Sequence, residues 1–124
     1  MKSFLTYSAI IEAITGLALI FAPSKTILIL LKAETNGSLE MTLAMVAGVA
    51  IFSLAIFCWL IRRHSSALLA IKSMSFYNFA VAAILLYATL GLGFTGPALW
   101  LVIVFHFIQT AIGILLINKK QNAN

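Results

Sequence analysis

The strongest constraint in this sequence is a set of four apolar stretches, each long enough to cross a membrane. A helix needs about 20 apolar residues to span about 30 Å of hydrocarbon. Four stretches reach that length: residues 4–22, 41–61, 67–90 and 97–117. Charged residues make up only 9% of the chain, whereas a soluble domain carries about 25%. The sequence therefore predicts an all-α integral membrane protein that forms one domain over residues 1–124.

Short connections indicate how the last three predicted spans are arranged. Residues 62–66 join the second span to the third, and residues 91–96 join the third to the fourth. Loops of this length place neighbouring helices antiparallel. We therefore expect an antiparallel four-helix bundle.

The connection after the first span is longer and contains an apolar run of its own. It begins near Pro23, and Lys25 and Lys32 flank a segment that is too short to span the membrane. We predict a short interfacial helix over about residues 24–33, with both lysines facing water. The alternative is a continuation of the first span past a kink. A turn at Asn36-Gly37 is expected before the second span.

The basic residues are distributed unevenly between the two ends of the predicted bundle. One end carries more of them: Lys2, Arg62, Arg63, Lys119 and Lys120. The opposite end carries Lys25 and Lys32, whose positive charges are balanced by the negative charges of Glu34 and Glu40. Because positive residues stay on the cytoplasmic side, both termini are predicted to be cytoplasmic, in the cell (inner) membrane. Nucleic acid is not an expected partner, because the net charge of +5 is spread over helix ends instead of one basic face.

Each predicted span has one face of small and polar residues, which suits close packing of helices inside a membrane. The faces are Ser8, Ala9, Glu12, Thr15 and Gly16 on the first span, Ala44, Ala47, Gly48 and Ala55 on the second, Ser75, Asn78 and Ala82 on the third, and His106, Gln109, Thr110 and Gly113 on the fourth.

Polar groups from three spans share one depth in the predicted bundle. At about 1.5 Å of rise per residue, Glu12, Asn78 and His106 lie roughly 12–16 Å from the cytoplasmic end. A charged and unpaired group at the bilayer centre costs at least about 2.5–3.5 kcal/mol. We therefore predict a polar pocket in which Glu12 is the acid and His106 its partner. Its ligand-binding residues are expected to be Glu12, Thr15, Tyr77, Asn78, His106 and Gln109. The alternative is that these groups only hydrogen-bond the helices together.

The sequence does not predict catalysis. It contains no nucleotide-binding loop, nucleophile elbow or cysteine pair. A zinc site needs three or four converging ligands, whereas only Glu12 and His106 share a level. We therefore expect no catalytic residue, no metal and no cofactor, except that a homodimer could hold a haem between two copies of His106.

The first span resembles one helix of a known transporter family. Residues 9–16, with Glu12 among them, are similar to the acidic first helix of small multidrug-resistance transporters. The resemblance stops there, because those proteins carry a Gly-Tyr and Trp-containing third helix that this chain lacks.

A second resemblance covers more of the chain. Its elements are residues 17–23 at the end of the first span, residues 59–62 at the end of the second, the Tyr77-Asn78 pair, and Trp100 with His106. Together they resemble small bacterial four-helix membrane proteins of the DoxX-like type. Some of those proteins are similar to membrane subunits of quinone-linked enzymes.

These features predict a non-enzymatic membrane protein that binds a small hydrophobic or amphipathic ligand, such as a lipid or a quinone, within its bundle. Membrane lipids are its expected partners, and it would act alone, as a homodimer or as an accessory subunit of a larger membrane complex. One alternative is a proton-coupled small-solute transporter that uses Glu12. Another is a purely structural bundle.

Overall fold

The protein is all-helical wherever the structure, a computed structural model, describes it: residues 1–35 and 37–122. The predicted turn at Asn36 lies outside the described residues. There are five helices in this part of the chain: α1 (Lys2–Phe21), α2 (Pro23–Leu31), α3 (Ser38–Ile61), α4 (Ala67–Leu90) and α5 (Leu99–Gln121).

The four long helices, α1, α3, α4 and α5, are each long and apolar enough to cross a membrane. They correspond to the four predicted spans. Three of them extend beyond the predicted ends, α1 by beginning at Lys2. The α3 helix begins at Ser38 with Glu40 in its first turn, and α5 continues through Lys119 and Lys120 in its last turn. An acid at the start of a helix and bases at its end interact favourably with the helix dipole, so these helices continue past their apolar residues.

The α2 helix is a separate element from α1. The backbone at Ala22, with φ −141° and ψ 52°, ends α1, and Pro23 starts α2 at a position where proline is well tolerated. The Thr26 hydroxyl lies 2.9 Å from the carbonyl oxygen of Ala22 and 3.1 Å from that of Ala18. Both carbonyl oxygens also accept backbone amides, Ala18 from Ala22 and Ala22 from Thr26. The hydroxyl therefore adds a contact across the break, from α2 to the last turn of α1.

At its other end, α2 reaches the start of α5. The amide of Ala98 donates a hydrogen bond to the carbonyl oxygen of Ile29, at 3.2 Å. Gly96 packs so closely on the Leu30 carbonyl that a side chain there would overlap it. The α2 helix thus crosses one end of the bundle, from the end of α1 to the start of α5.

The long helices form two tightly packed pairs, α1 with α3 and α4 with α5. In each pair the backbones approach at small residues. A Cβ atom on Gly16 would lie 2.8 Å from the Gly48 oxygen, and one on Gly48 would lie 2.8 Å from the Gly16 oxygen. In the other pair, Gly113 packs directly against the Ser75 side chain.

The predicted interior faces are largely confirmed by burial. In α4 and α5 every residue of the predicted faces is buried: Ser75, Asn78, Ala82, His106, Gln109, Thr110 and Gly113. The prediction for Ala47 is wrong, because this residue is exposed. The α3 helix meets α1 through Ala44, Gly48 and Ala55, whose spacing of four and seven residues defines a narrower stripe that turns Ala47 outward.

One end of the bundle is densely packed. Its core lies beside the connection between α3 and α4 and consists of buried side chains from α1, α3 and α4: Phe4, Leu5, Ala9, Cys58, Ala67, Ala70, Ile71 and Met74. At the opposite end, near α2, the two helix pairs enclose a cavity.

Candidate functional site

A cavity of about 600 Å³ lies between the two helix pairs, and α2 closes one end of it. Every helix contributes to its wall. The lining residues are Ile11, Glu12, Ile14, Thr15, Ala18, Leu19, Thr26, Ile29, Leu30, Ile51, Tyr77, Val81, Leu85, Ala98, Leu101, Val102, Phe105 and His106. Most of these side chains are apolar, so the few polar ones define where a polar group of a ligand would be placed.

Glu12 and Tyr77 form a hydrogen bond between α1 and α4 at the polar end of the cavity. The Tyr77 hydroxyl donates to the Glu12 Oε2 atom at 3.3 Å. Glu12 is buried, with only 3% of its surface exposed. Its second oxygen, Oε1, has no hydrogen-bond partner among the described residues. In this part of the chain, the polar side-chain atoms that are both fully enclosed and without a partner are Ser8 Oγ and Thr35 Oγ1. Oε1 is not one of them, so it is accessible. Glu12 therefore presents one free oxygen at the cavity.

His106 is held from behind by Asn78. The Nδ1 atom of His106 lies 2.6 Å from the Asn78 Oδ1 atom, and the Asn78 amide nitrogen donates to the Met74 carbonyl oxygen at 2.7 Å. The His106 ring also stands edge-on to the Tyr77 ring, with centroids 6.1 Å apart. These contacts fix the orientation of the imidazole beside the Glu12–Tyr77 pair.

The six residues predicted to bind a ligand divide into three groups. Four of them line the cavity: Glu12, Thr15, Tyr77 and His106. Asn78 is buried behind His106 and contacts it without lining the cavity. Gln109 is also buried, but it lies one turn further along α5 and does not line the cavity.

The pairing of these groups differs from the expectation. Glu12 was expected to pair with His106, but its partner is Tyr77, and the partner of His106 is Asn78. Counting helix rise gives the depth of a side chain and not the direction in which it points. Pairing depends on the rotation of each helix about its axis, which is set by the close crossings at glycine and serine.

The sequence did not predict the contribution of α2 to the cavity. We expected this helix to lie on the membrane surface, yet Thr26, Ile29 and Leu30 line one end of the cavity. The signal was Thr26, whose hydroxyl contacts the carbonyl oxygens of Ala18 and Ala22 and so turns this face of α2 toward α1.

The cavity has an opening toward the outer apolar surface of the bundle. Its most exposed lining residues belong to α1, α2 and α5: Ile11, Ile14, Ile29 and Leu101. The α1 and α5 helices do not pack extensively against each other. The route into the cavity therefore passes between these two helices and is lined by aliphatic side chains.

Histidine, cysteine and acidic side chains form no cluster of three within residues 1–35 and 37–122. Comparison of the chain with protein-family models, with curated proteins and with solved structures finds no match. The resemblance to DoxX-like proteins therefore stays a prediction, and the function has to be argued from the cavity.

Proposed function

We propose that this protein is a non-enzymatic integral membrane protein that binds a small hydrophobic or amphipathic ligand between its two helix pairs. The observation that carries the proposal is the cavity of about 600 Å³. Its volume falls within the range of about 300–1,000 Å³ that is usual for small-molecule sites. A mainly apolar lining with a few convergent polar groups is also typical of such sites.

The polar groups support a binding role over a purely structural one. Groups that serve only to join helices are expected to satisfy each other, because an unsatisfied polar group in a membrane is costly. The Asn78–His106 contact fits that structural role. Glu12 does not, because within residues 1–35 and 37–122 one of its carboxyl oxygens has no partner.

The proposed setting is the inner membrane, with both termini in the cytoplasm and α2 on the outer side. The excess of Lys and Arg at one end supports this orientation. The apolar opening between α1 and α5 supports loading of the ligand from the lipid, either by the protein alone or by a larger membrane complex that contains it.

Native mass spectrometry of the gently solubilised protein tests the proposal with two matched variants. Val81 lines the cavity, so Val81→Phe would fill it. Val104 is on the exposed surface of α5, so Val104→Phe adds the same volume outside. We expect a small apolar molecule bound to the wild type and to Val104→Phe, and lost from Val81→Phe. Equal occupancy in all three proteins, or none in any, would contradict the proposal.

A second candidate function is proton-coupled transport of a small solute, with Glu12 as the proton carrier. The free Glu12 oxygen at the cavity favours it, because an intramembrane acid facing a cavity can exchange a proton with a bound solute. It predicts that solute uptake into proteoliposomes depends on a pH gradient and is abolished by Glu12→Gln. Uptake that is unchanged in this variant would reject the mechanism.

A further inference from the structure

Resting on the proposed function, we infer that the cavity selects a neutral apolar molecule with a hydroxyl head, and that this hydroxyl donates a hydrogen bond to the Nε2 atom of His106. Alcohols and phenols share this chemistry. Apolar molecules whose only polar group is a ketone, an ester or an ether do not.

The orientation of the Asn78 amide is fixed by the carbonyl group of Met74. The Met74 carbonyl oxygen can only accept a hydrogen bond, and it lies 2.7 Å from one end of the Asn78 amide. That end must be the NH₂ group. The other end, Oδ1, therefore faces His106.

This orientation determines which nitrogen of His106 carries the proton. Asn78 Oδ1 is an acceptor and lies 2.6 Å from His106 Nδ1, so Nδ1 must be the donor. In a neutral imidazole the other nitrogen, Nε2, is then an acceptor. The tautomer of His106 is thus set by a residue that does not itself line the cavity.

The Nε2 atom is the part of the ring that a ligand can reach. It has no hydrogen-bond partner among the described residues. It is also absent from the atoms of that part of the chain that are fully enclosed without a partner, so it is accessible. His106 lines the cavity, whereas Asn78 does not. A ligand group that meets Nε2 must donate, because two acceptors facing each other in an apolar site both lose their hydrogen bonds.

Competition photolabelling in lipid nanodiscs tests the ligand class. The probe is dodecanol carrying a diazirine on its chain, and the competitors are dodecanol, its methyl ether and dodecylamine. We expect dodecanol to compete about tenfold better than the ether, which corresponds to about 1.4 kcal/mol, the upper part of the range for one hydrogen bond. Equal competition by dodecanol and its ether, or stronger competition by the amine, would overturn the inference.

The Val81→Phe variant separates failure of this inference from failure of the proposed function. If labelling is lost in Val81→Phe but alcohol and ether compete equally, the cavity is a binding site and only the preference for a hydroxyl is wrong. Labelling that is the same in Val81→Phe and wild type contradicts both.

Nitrogen NMR of His106 provides a readout that does not depend on ligand affinity. The only other histidine is His64, which is exposed, so His64→Gln leaves a single imidazole to observe. We expect a protonated Nδ1 and an unprotonated Nε2, with the Nε2 resonance shifting when dodecanol is added. A proton on Nε2 in the ligand-free protein would overturn the inference, whatever the binding data show.

Discussion

Gly16 of α1 and Gly48 of α3 lie at the point where these helices cross, and each glycine packs on the carbonyl oxygen of the other. A Cβ atom added to either residue would meet that oxygen at 2.8 Å. Real Cβ atoms essentially never approach a neighbouring atom this closely. The crossing therefore requires glycine on both helices, and it holds α1 at the rotation that points Glu12 into the cavity.

We predict that Gly16→Ala weakens the α1–α3 pair. The added methyl group would overlap the backbone of Gly48 and Phe52, and backbone cannot move aside as a flexible side chain can. Overpacking of this kind costs about 1–3 kcal/mol, which outweighs the gain of about 1 kcal/mol in helix propensity. Thermal unfolding followed by circular dichroism in detergent measures the effect. The control is Ala47→Val on the exposed face of α3, which is expected to unfold like the wild type; an unchanged midpoint for Gly16→Ala would show that α1 and α3 are less closely packed.

We predict that Tyr77→Phe destabilises the protein by about 1–3 kcal/mol, because it leaves a buried carboxyl oxygen of Glu12 without its donor. Tyr87→Phe is the matched control. Tyr87 is 64% exposed, and surface substitutions change stability by about 0.5 kcal/mol or less. Thermal unfolding of the two variants gives the comparison, and equal midpoints would mean that the Tyr77 hydroxyl does not support Glu12.

Glu12→Gln separates the structural role of this side chain from a binding role. The amide oxygen of glutamine can still accept from Tyr77, so we expect an unfolding midpoint close to that of the wild type. We also expect less co-purifying ligand, because Glu12 lines the same cavity as His106, the proposed partner of the ligand hydroxyl, and glutamine changes the polar surroundings of that hydroxyl. Native mass spectrometry measures the occupancy. Full occupancy in Glu12→Gln would show that the Glu12 carboxyl takes no part in holding the ligand.

We predict that the start of the chain reacts with membrane-impermeant thiol reagents only from the cytoplasmic side, and the connection between α4 and α5 only from the outer side. Single cysteines at Ser3 and at Thr95, which are both exposed, report the two sides of the membrane. The native Cys58 is fully buried and is expected to stay unlabelled in intact cells. Labelling of Ser3→Cys only after permeabilisation, and of Thr95→Cys without it, supports the orientation; the reverse pattern would invert it.

Much of the fold followed from the sequence because a membrane leaves few alternatives. Four apolar stretches fixed the number of long helices, and small residues such as Gly113 marked their contact faces. The ends of the helices were harder to predict. The last turn of α5 carries Lys119 and Lys120, whose charges interact favourably with the helix dipole; a hydropathy pattern does not include that interaction.

The sequence indicated the depth of the polar residues of the site, but not their hydrogen-bond partners. Depth placed Glu12, Asn78 and His106 at one level; the structure has Glu12 and His106 at the cavity and Asn78 behind His106. Their hydrogen-bond partners depend on small rotations of the helices, which follow from how closely Gly16 and Ser75 pack on the neighbouring helix. The role of α2 was missed because Thr26 was not considered as a partner for the carbonyl groups at the end of α1.

The division of the bundle into two pairs places the close backbone crossings within each pair. The seam between the pairs is filled by core side chains at one end and by the cavity at the other. Each pair keeps its own close crossing, at Gly16–Gly48 or at Ser75–Gly113, when the seam widens or narrows. The volume between the pairs can therefore change only by a tilt of one pair against the other about the packed end, with α2 bridging α1 and α5 at the open end. Substitutions along the seam would then alter the size of molecule that fits while leaving the insertion of the four helices unchanged.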